Sequence, residues 1–450
     1  MYKFVKIAHD VEQNIRTAVY KEGEKLPSIR AFCKQYQCNK STVIQALQDL
    51  ENRQVIYAVP RSGYYVLKRT LKPLSAEKGV YDFANAAPDW NEFPYADFQH
   101  CIRKAIDAYQ QDLFLYGTSK GLLSLVRVVQ RQLENTQVFA KEEQIIVTSG
   151  VQQALFILQA IAFPNGKEKI VVEQPGYHIL IDYINQYGRN AVGIERTAQG
   201  IDLNRLEQIF QQGDIKFFYT MPRFHNPLGT SFSKEEKLAI VKLAEKYDVY
   251  LVEDDFLADF EQNTKADPLY AYDEHDRVIY LKSYSKIMFP GLRIGIAVVP
   301  QALTEAFHQY KKYIDIDSSM ISQAALEIYI KSGMFDHHKF KIQAPYIKRS
   351  QALNDAIKTY IGETLQAAGY IHQPTLCMHT HIVLDKRVNL NQLLLHAKKR
   401  KVIIETADRN YLTGFPRRKI VKLNVSHIAE EQISVGVEKV AEVIKASIFT

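Results

Sequence analysis

Cysteine is scarce in this chain, with four residues in 450. Cys33, Cys38, Cys101 and Cys377 are scattered, and none stands beside a second Cys or a His pair at metal-ligand spacing. They read as reduced core residues, and no metal site is expected. Long apolar runs are also missing. None approaches the ~20 residues of a membrane helix, and Met1-Tyr2-Lys3-Phe4-Val5-Lys6 lacks the apolar core of a signal peptide. A cytoplasmic protein with no membrane partner is expected. Most of the chain also lacks net charge. Residues 1–70 hold 12 Lys or Arg against 6 Asp or Glu and so carry +6 of the net +7. A positive segment on a near-neutral body suggests a partner with a phosphate backbone.

What is present is a soluble composition, 46% hydrophobic and 24% charged, in a chain long enough for two or three domains. Ile7, Val11, Ile15 and Ala18 or Val19 recur at helical spacing until Gly23. Leu26-Pro27-Ser28-Ile29-Arg30 places Pro and Ser in the first turn of a second helix that runs to about Tyr36. After a tight turn at Gln37-Cys38-Asn39, Lys40 starts a third helix, with Val43, Ala46, Leu47 and Leu50 inward. Two short helices around a tight turn make a helix-turn-helix. Recognition helices of such units read base edges with residues near their N-termini, which makes Lys40, Ser41, Thr42 and Gln45 the candidates for groove and phosphate contacts. Val55–Val59 and Tyr64–Leu67 flank Pro60-Arg61-Ser62-Gly63, a hairpin with a basic tip.

Leu26-Pro27-Ser28-Ile29-Arg30, Lys40-Ser41-Thr42-Val43 and Ser62-Gly63 together resemble the winged-helix domain of GntR-type repressors. The resemblance implies a double-stranded DNA operator as partner, with Ser28, Arg30, Arg61, Ser62 and Gly63 joining Lys40 to Gln45 at the interface. Lys40 stands where the family usually has Arg, so a two-pronged phosphate or guanine contact is weaker there.

A winged helix-turn-helix is expected over residues 1–69 and a linker over 70–80, where Pro73, Ser75 and Gly79 interrupt periodicity. Beyond it, short apolar runs alternate with helical patterns: Ile145–Val147, Ile170–Val172, Ile215–Tyr219, Val249–Val252, Val278–Leu281 and Ile294–Val299. This alternation predicts an α/β fold with a mainly parallel sheet covered on both faces. Thr380–Leu384, Val402–Glu405 and Ile420–Val425 predict strands of a smaller α/β subdomain, dividing residues 81–450 into large (about 81–310) and small (about 311–450) parts.

Polar clusters follow the runs, where open α/β sheets bind ligands. Gly150, Val151 and Gln152 open a helix whose free amides can cradle a phosphate. Tyr177 can stack on a flat ring, and Asn226 can meet a ring hydroxyl. A carboxylate of Glu253-Asp254-Asp255 can pair with a pyridinium nitrogen. Ser283-Tyr284-Ser285-Lys286, followed by Pro290-Gly291-Leu292-Arg293-Ile294-Gly295, sets one lysine beside two hydroxyls and an arginine. Lys286 can lose its proton at an apolar wall and condense with a cofactor aldehyde, while Ser283, Ser285 and Arg293 hold that cofactor's phosphate.

The pattern Ser-x-Ser-Lys-x-x-x-Pro-Gly-x-Arg-x-Gly closely resembles the cofactor-lysine segment of fold-type I aminotransferases, and the other clusters fall in that family's order. Joined to the winged helix, the chain resembles the MocR-type branch of GntR regulators. The resemblance implies pyridoxal 5'-phosphate as cofactor, Lys286 as its anchor, Asp254 (or Asp255) as the ring-pairing acid, and a homodimer in which Tyr116 reaches across to the other subunit's phosphate. Two positions depart from the family: Phe256 stands where a tyrosine is usual, and Lys422 where an arginine grips a substrate carboxylate, with Arg417 and Arg418 nearby. A regulator that senses an amine, an amino acid or the cofactor is expected, with little or no transamination. An active aminotransferase carrying a regulatory DNA-binding domain is the alternative.

Overall fold

Three helices open the chain in the computed structural model, which describes residues 3–17, 19–53, 55–67, 79–263, 265–361 and 377–448. They are α1 (Lys3–Arg16), α2 (Ile29–Tyr36) and α3 (Lys40–Asn52). Side-chain caps set two of the starts: Ser28 Oγ accepts from Ala31 N at 3.2 Å, and Asn39 Oδ1 accepts from Thr42 N at 3.0 Å. α1 stops at Arg16 although the apolar spacing continues, and Val19 is exposed. Strands β1 (Ile56–Val59) and β2 (Gly63–Val66) pair antiparallel. Arg61 and Gly63, both at positive φ, turn the chain between them. Ile7, Val11, Phe32, Val43, Leu47, Leu50, Ile56 and Val66 share one core, so this winged helix-turn-helix is a compact unit, residues 1–78. The linker expected over 70–80 lies, as far as residue 78, outside the described residues.

Residues 79–450 are the second unit. Its strands are β3 (Tyr81–Asp82), β4 (Ile145–Thr148), β5 (Lys169–Gln174), β6 (Ala191–Thr197), β7 (Gly200–Ile201), β8 (Ile215–Thr220), β9 (Tyr250–Asp254), β10 (Val278–Ser283), β11 (Gly295–Val298), β12 (His379–Val383), β13 (Val402–Ile403), β14 (Glu405–Thr406) and β15 (Ile420–Asn424). Eight form one sheet in the order β4-β11-β10-β9-β8-β5-β6-β7. β10, β9, β8, β5 and β6 are parallel neighbours, while β11 runs antiparallel to β10 and β4, and β7 to β6. Successive residues feed opposite faces. Val147, Tyr280 and Ile296 enter one core with α5 (Leu123–Glu134) and α4 (Tyr95–Tyr109), and Ile146, Ile279 and Ala297 enter another with α6 (Val151–Ala160) and α7 (His178–Tyr187).

β12, β15 and β14 make a smaller sheet over a separate core. The 27-residue helix Met334–Tyr360 joins the two, placing Phe335, Ile342 and Tyr346 in the large core and Leu353, Ala356 and Ile357 in the small one. The small core therefore begins well beyond residue 311. It also recruits Phe83, because β3 pairs with β13.

Register lines up the carboxyl edge of the large sheet. Ser283 pairs with Gly295 and Gly295 with Thr148, while Leu281 pairs with Asp254 and Glu253 with Thr220. The polar clusters noted in the sequence all leave from this edge.

Candidate functional site

At one end of the edge, β4 runs through Ser149 and Gly150 into α6, and the helix's first amides are left without intrahelical partners. Gly150 has φ 89, and a Cβ there would lie 2.8 Å from Arg293 Nη2. Arg293 Nη2 donates to Ser149 O at 2.9 Å, which fixes the guanidinium against the turn. Backbones approach closely here, since a Cβ on Gly295 would lie 2.8 Å from Val151 N. Ser285 N donates to Ser283 Oγ at 3.2 Å, so the two serines sit in one tight turn after β10. Gln152 Nε2 donates to Tyr177 Oη at 3.0 Å and steadies that ring. Burial pushes the Tyr177 hydroxyl above its ordinary range, the Gln152 hydrogen bond opposes this, and the Asp254 carboxylate adds to it.

Glu253 and Asp254 end β9 and Asp255 follows directly, so that alternation separates Asp254 from its two neighbours. Asp255 is committed elsewhere: it accepts from Arg223 Nε at 3.0 Å and Tyr280 Oη at 2.8 Å, with a second Arg223 contact through Nη2. Burial works to raise its pKa, and the Arg223 guanidinium outweighs that and holds it low. Glu253 accepts from Leu269 N and Tyr270 N, each at 2.9 Å. Asp254 leaves the sheet on the other face, with Tyr219 and near enough to Tyr177 to act on its hydroxyl, and does not itself line the cavity that holds Lys286. Its Oδ2 accepts from Tyr219 Oη at 2.8 Å, and its Oδ1 is buried with no hydrogen-bond partner among the described residues. Burial lifts this carboxyl to about 7.

Lys286 lines a small cavity of ≈ 90 Å³ with Asn226, Phe256, His178, His379, Glu405 and Lys422. Its amine donates to the Ala86 carbonyl, and burial pushes its pKa down to about 8. In the same lining, Lys422 Nζ is 2.8 Å from Glu405 Oε2 and 3.4 Å from Asn410 Oδ1. Arg418 is paired with Glu195 at 2.7 Å. Tyr116 stands apart, 84% exposed, and does not line this cavity.

In the N-terminal unit, Lys40, Ser41 and Gln45 are exposed on the first turns of α3, as are Ser28 and Arg30 around the start of α2. The Ser41 and Thr42 hydroxyls both donate to Asn39 Oδ1, at 2.9 and 2.6 Å. Arg61 is exposed at the wing tip, and Ser62 Oγ is 2.7 Å from Tyr65 Oη.

Sequence reasoning missed Tyr219, Glu405 and the pocket face of His379. Tyr219 hid inside an apolar run. Its signal is parity: it pairs with Val252, two residues before Asp254, so both side chains leave the sheet on the same face.

Residues 4–66 match the family of bacterial regulatory proteins called gntR, and residues 89–430 match aminotransferase class I and II. The chain is 52% identical to the uncharacterized HTH-type transcriptional regulator YcxD of Bacillus subtilis (strain 168), over 97% of this chain and 99% of that one. Its fold is similar to the multiple substrate aminotransferase of Thermococcus profundus, with a TM-score of 0.75 and 26% identity over 83% of this chain and 93% of the other. It is also similar to the alpha-aminoadipate aminotransferase LysN of Thermus thermophilus, with a TM-score of 0.73 and 22% identity over 83% and 94% of the two chains. Each part thus matches a family of its own, and YcxD is similar over nearly the whole chain. The chain belongs to the MocR-type branch of the GntR transcriptional regulators, in which a winged helix precedes an aminotransferase-like domain.

Proposed function

We propose that this regulator binds a double-stranded DNA operator through residues 1–69, holds pyridoxal 5'-phosphate on Lys286, and reads an amine or amino acid through it. The observation that carries the cofactor half is the bare, buried Asp254 Oδ1. An unsatisfied buried acceptor costs about 1–3 kcal/mol, and a protonated ring nitrogen is a donor that would satisfy it. The glycine turn at Gly150, which a Cβ would fill, suits a phosphate. LysN, of the same fold, is a complex with N-(5'-phosphopyridoxyl)-L-leucine.

When bound, the cofactor supplies an aldehyde carbon open to primary amines and an electron-withdrawing ring. The chain's residues do the rest. Val151 and Gln152 amides, Ser283, Ser285 and Arg293 would hold the phosphate. Tyr177 would cover the ring, Asn226 would meet its hydroxyl, and Lys286 would supply an amine already depressed toward neutral pH. Tyr116 of the partner subunit completes the phosphate site in a homodimer. Phe114, Leu115, Tyr116 and Tyr313 are each more than 60% exposed, and Gly117 N donates to Asp317, which ties the two segments carrying them. Such an apolar surface marks an interface.

Sensing is favoured over turnover. Phe256 has no hydroxyl to offer, and Lys422 is already occupied by Glu405. An active aminotransferase is the second reading, supported by Lys286 and Asn226 lining one cavity and by a buried acid at Asp254 on the same sheet edge. The protein purified with pyridoxal phosphate is expected to show a visible absorbance band, with the cofactor trapped on Lys286 by borohydride and located by peptide mass. Trapping that persists in Lys286→Ala overturns the assignment. Rapid multiple turnover with an ordinary amino acid and an oxo-acid promotes the enzyme reading.

A further inference from the structure

His379 and His381 stand two apart on β12, so their rings share a face. That face meets the loop that carries Asn226. His379 Nε2 is 3.0 Å from the His225 carbonyl, and His381 Nδ1 is 2.8 Å from the Leu228 carbonyl. A carbonyl only accepts, so each of these nitrogens carries a proton and donates. Cys377 Sγ lies 3.4 Å from His379 Nδ1, and burial keeps its thiol protonated, so it donates to the ring's other nitrogen and selects the same tautomer. The two accepted carbonyls bracket Asn226. Backbones also touch: a Cβ on Gly229 would lie 2.2 Å from His379 O. From the large-sheet side the loop is braced by Glu173, whose Oε2 faces His225 Nε2 at 3.3 Å and accepts from Met221 N at 3.0 Å.

β12 also pairs with β15, and the register partner of His381 is Lys422, which in turn faces Glu405 on β14. One small sheet therefore carries both the charged pair on the cavity wall and the two rings that grip the Asn226 loop. We propose that His379 and His381 are positioning residues, a clamp through which the smaller sheet sets the placement of Asn226 at the cofactor, so that a ligand engaging the Lys422 wall is read at the ring hydroxyl. The inference rests on the reading of the cavity as the pyridoxal phosphate site. It requires two donors at set points, which a merely structural histidine would not.

The donors can be kept or removed at those points. His379→Gln keeps an amide N–H near the Nε2 position, and His381→Asn keeps one near Nδ1. His379→Leu and His381→Leu remove them. In cofactor-free, full-length protein, amide exchange over residues 225–230 is expected to rise at least about tenfold in the leucine variants and to stay near the parent rate in the amide variants. In protein loaded with pyridoxal phosphate, the leucine variants are expected to shift the pH midpoint of the cofactor's absorbance in the direction given by Asn226→Ala, and the double variant His381→Leu/Asn226→Ala to shift it no further. If the leucine variants do not fold, the exchanged amides His379→Asn and His381→Gln, which misplace the donor without removing polarity, take their place. Unchanged exchange in a folded donor-less or misplaced-donor variant overturns the clamp, and so does an unchanged midpoint. A parent protein that takes up no pyridoxal phosphate overturns the cofactor reading instead, and the exchange measurement still decides the clamp.

Discussion

Lys422 and Glu405 face each other across adjacent antiparallel strands, Nζ to Oε2 at 2.8 Å, on the wall of the cavity that holds Lys286. A carboxylate entering this cavity meets a lysine whose charge is already answered. Glu405 is tethered, so the ligand has to displace it rather than simply bind. Lysine also lacks the flat, two-pronged geometry with which arginine holds a carboxylate.

Glu405→Gln is therefore expected to strengthen binding of amines that carry a carboxylate and to leave simple amines unchanged. The pair is partly solvated, Lys422 14% and Glu405 49% exposed, so the gain is modest, up to about fivefold. Titration of the cofactor's absorbance with matched amines and amino acids measures it. Equal Kd values in parent and variant would show that Glu405 does not compete.

Lys286 gives a pH dependence. Its amine is pushed down to about 8 by burial. At pH 7 about a tenth of it is neutral, against less than a thousandth for an ordinary lysine. The rate at which cofactor-free protein takes up pyridoxal phosphate is expected to rise nearly tenfold from pH 6 to pH 7 and to level off above pH 8. Stopped-flow absorbance follows it directly. A rate that keeps climbing to pH 10 would show an unshifted amine.

Much of this site was legible because polar residues follow apolar runs, and strand register then does the assembling. Thr148, Gly295 and Ser283 are far apart in sequence yet adjacent across three strands. The choice between Asp254 and Asp255 was not legible. Alternation says only that they point to opposite faces, and it takes Arg223 and Tyr280 on one face to show which is spent. Glu405 was invisible for a different reason: its meaning comes from the β14–β15 register, which no local pattern carries. The same holds for Tyr81 beside Val402, a pairing that gives the start of the unit to the smaller subdomain. Alternation alone puts His379 and His381 on one face, but their partners lie on a loop of the large subdomain that no local pattern connects to them.

Those two histidines predict acid sensitivity. Burial pushes both down to about 4. Between pH 4 and 6.5 the unfolded chain binds more protons at these sites, so the stability they contribute is full above 6.5 and is lost as pH falls toward 4. The loss is about 2 kcal/mol per histidine at pH 5. Glu253 and Asp254, raised to about 7, act with the opposite sign over part of this window. Comparison with His379→Gln/His381→Asn isolates the histidines: the parent should lose more stability than the variant between pH 7 and pH 5 in denaturant melts. Parallel pH profiles would mean the rings protonate without cost.

The N-terminal unit makes the last prediction. Gln45 is exposed on the second turn of α3, where a recognition helix meets base edges, whereas Arg61 is exposed at the tip of the β1–β2 wing. A base contact and a phosphate contact fail differently. Loss of the first changes preference at one position, about 1–3 kcal/mol, because only one base pair loses its partner. Loss of the second weakens every sequence alike and lowers the slope of log affinity against log salt by about one, since one fewer counterion is released. Ser41 and Thr42 already donate to Asn39, so their removal should act through the helix start rather than through a base. Operators selected from a random library, then bound across a salt series by Gln45→Ala and Arg61→Ala proteins, separate these outcomes. A uniform loss in Gln45→Ala with an unchanged base preference would place the readout elsewhere on α3.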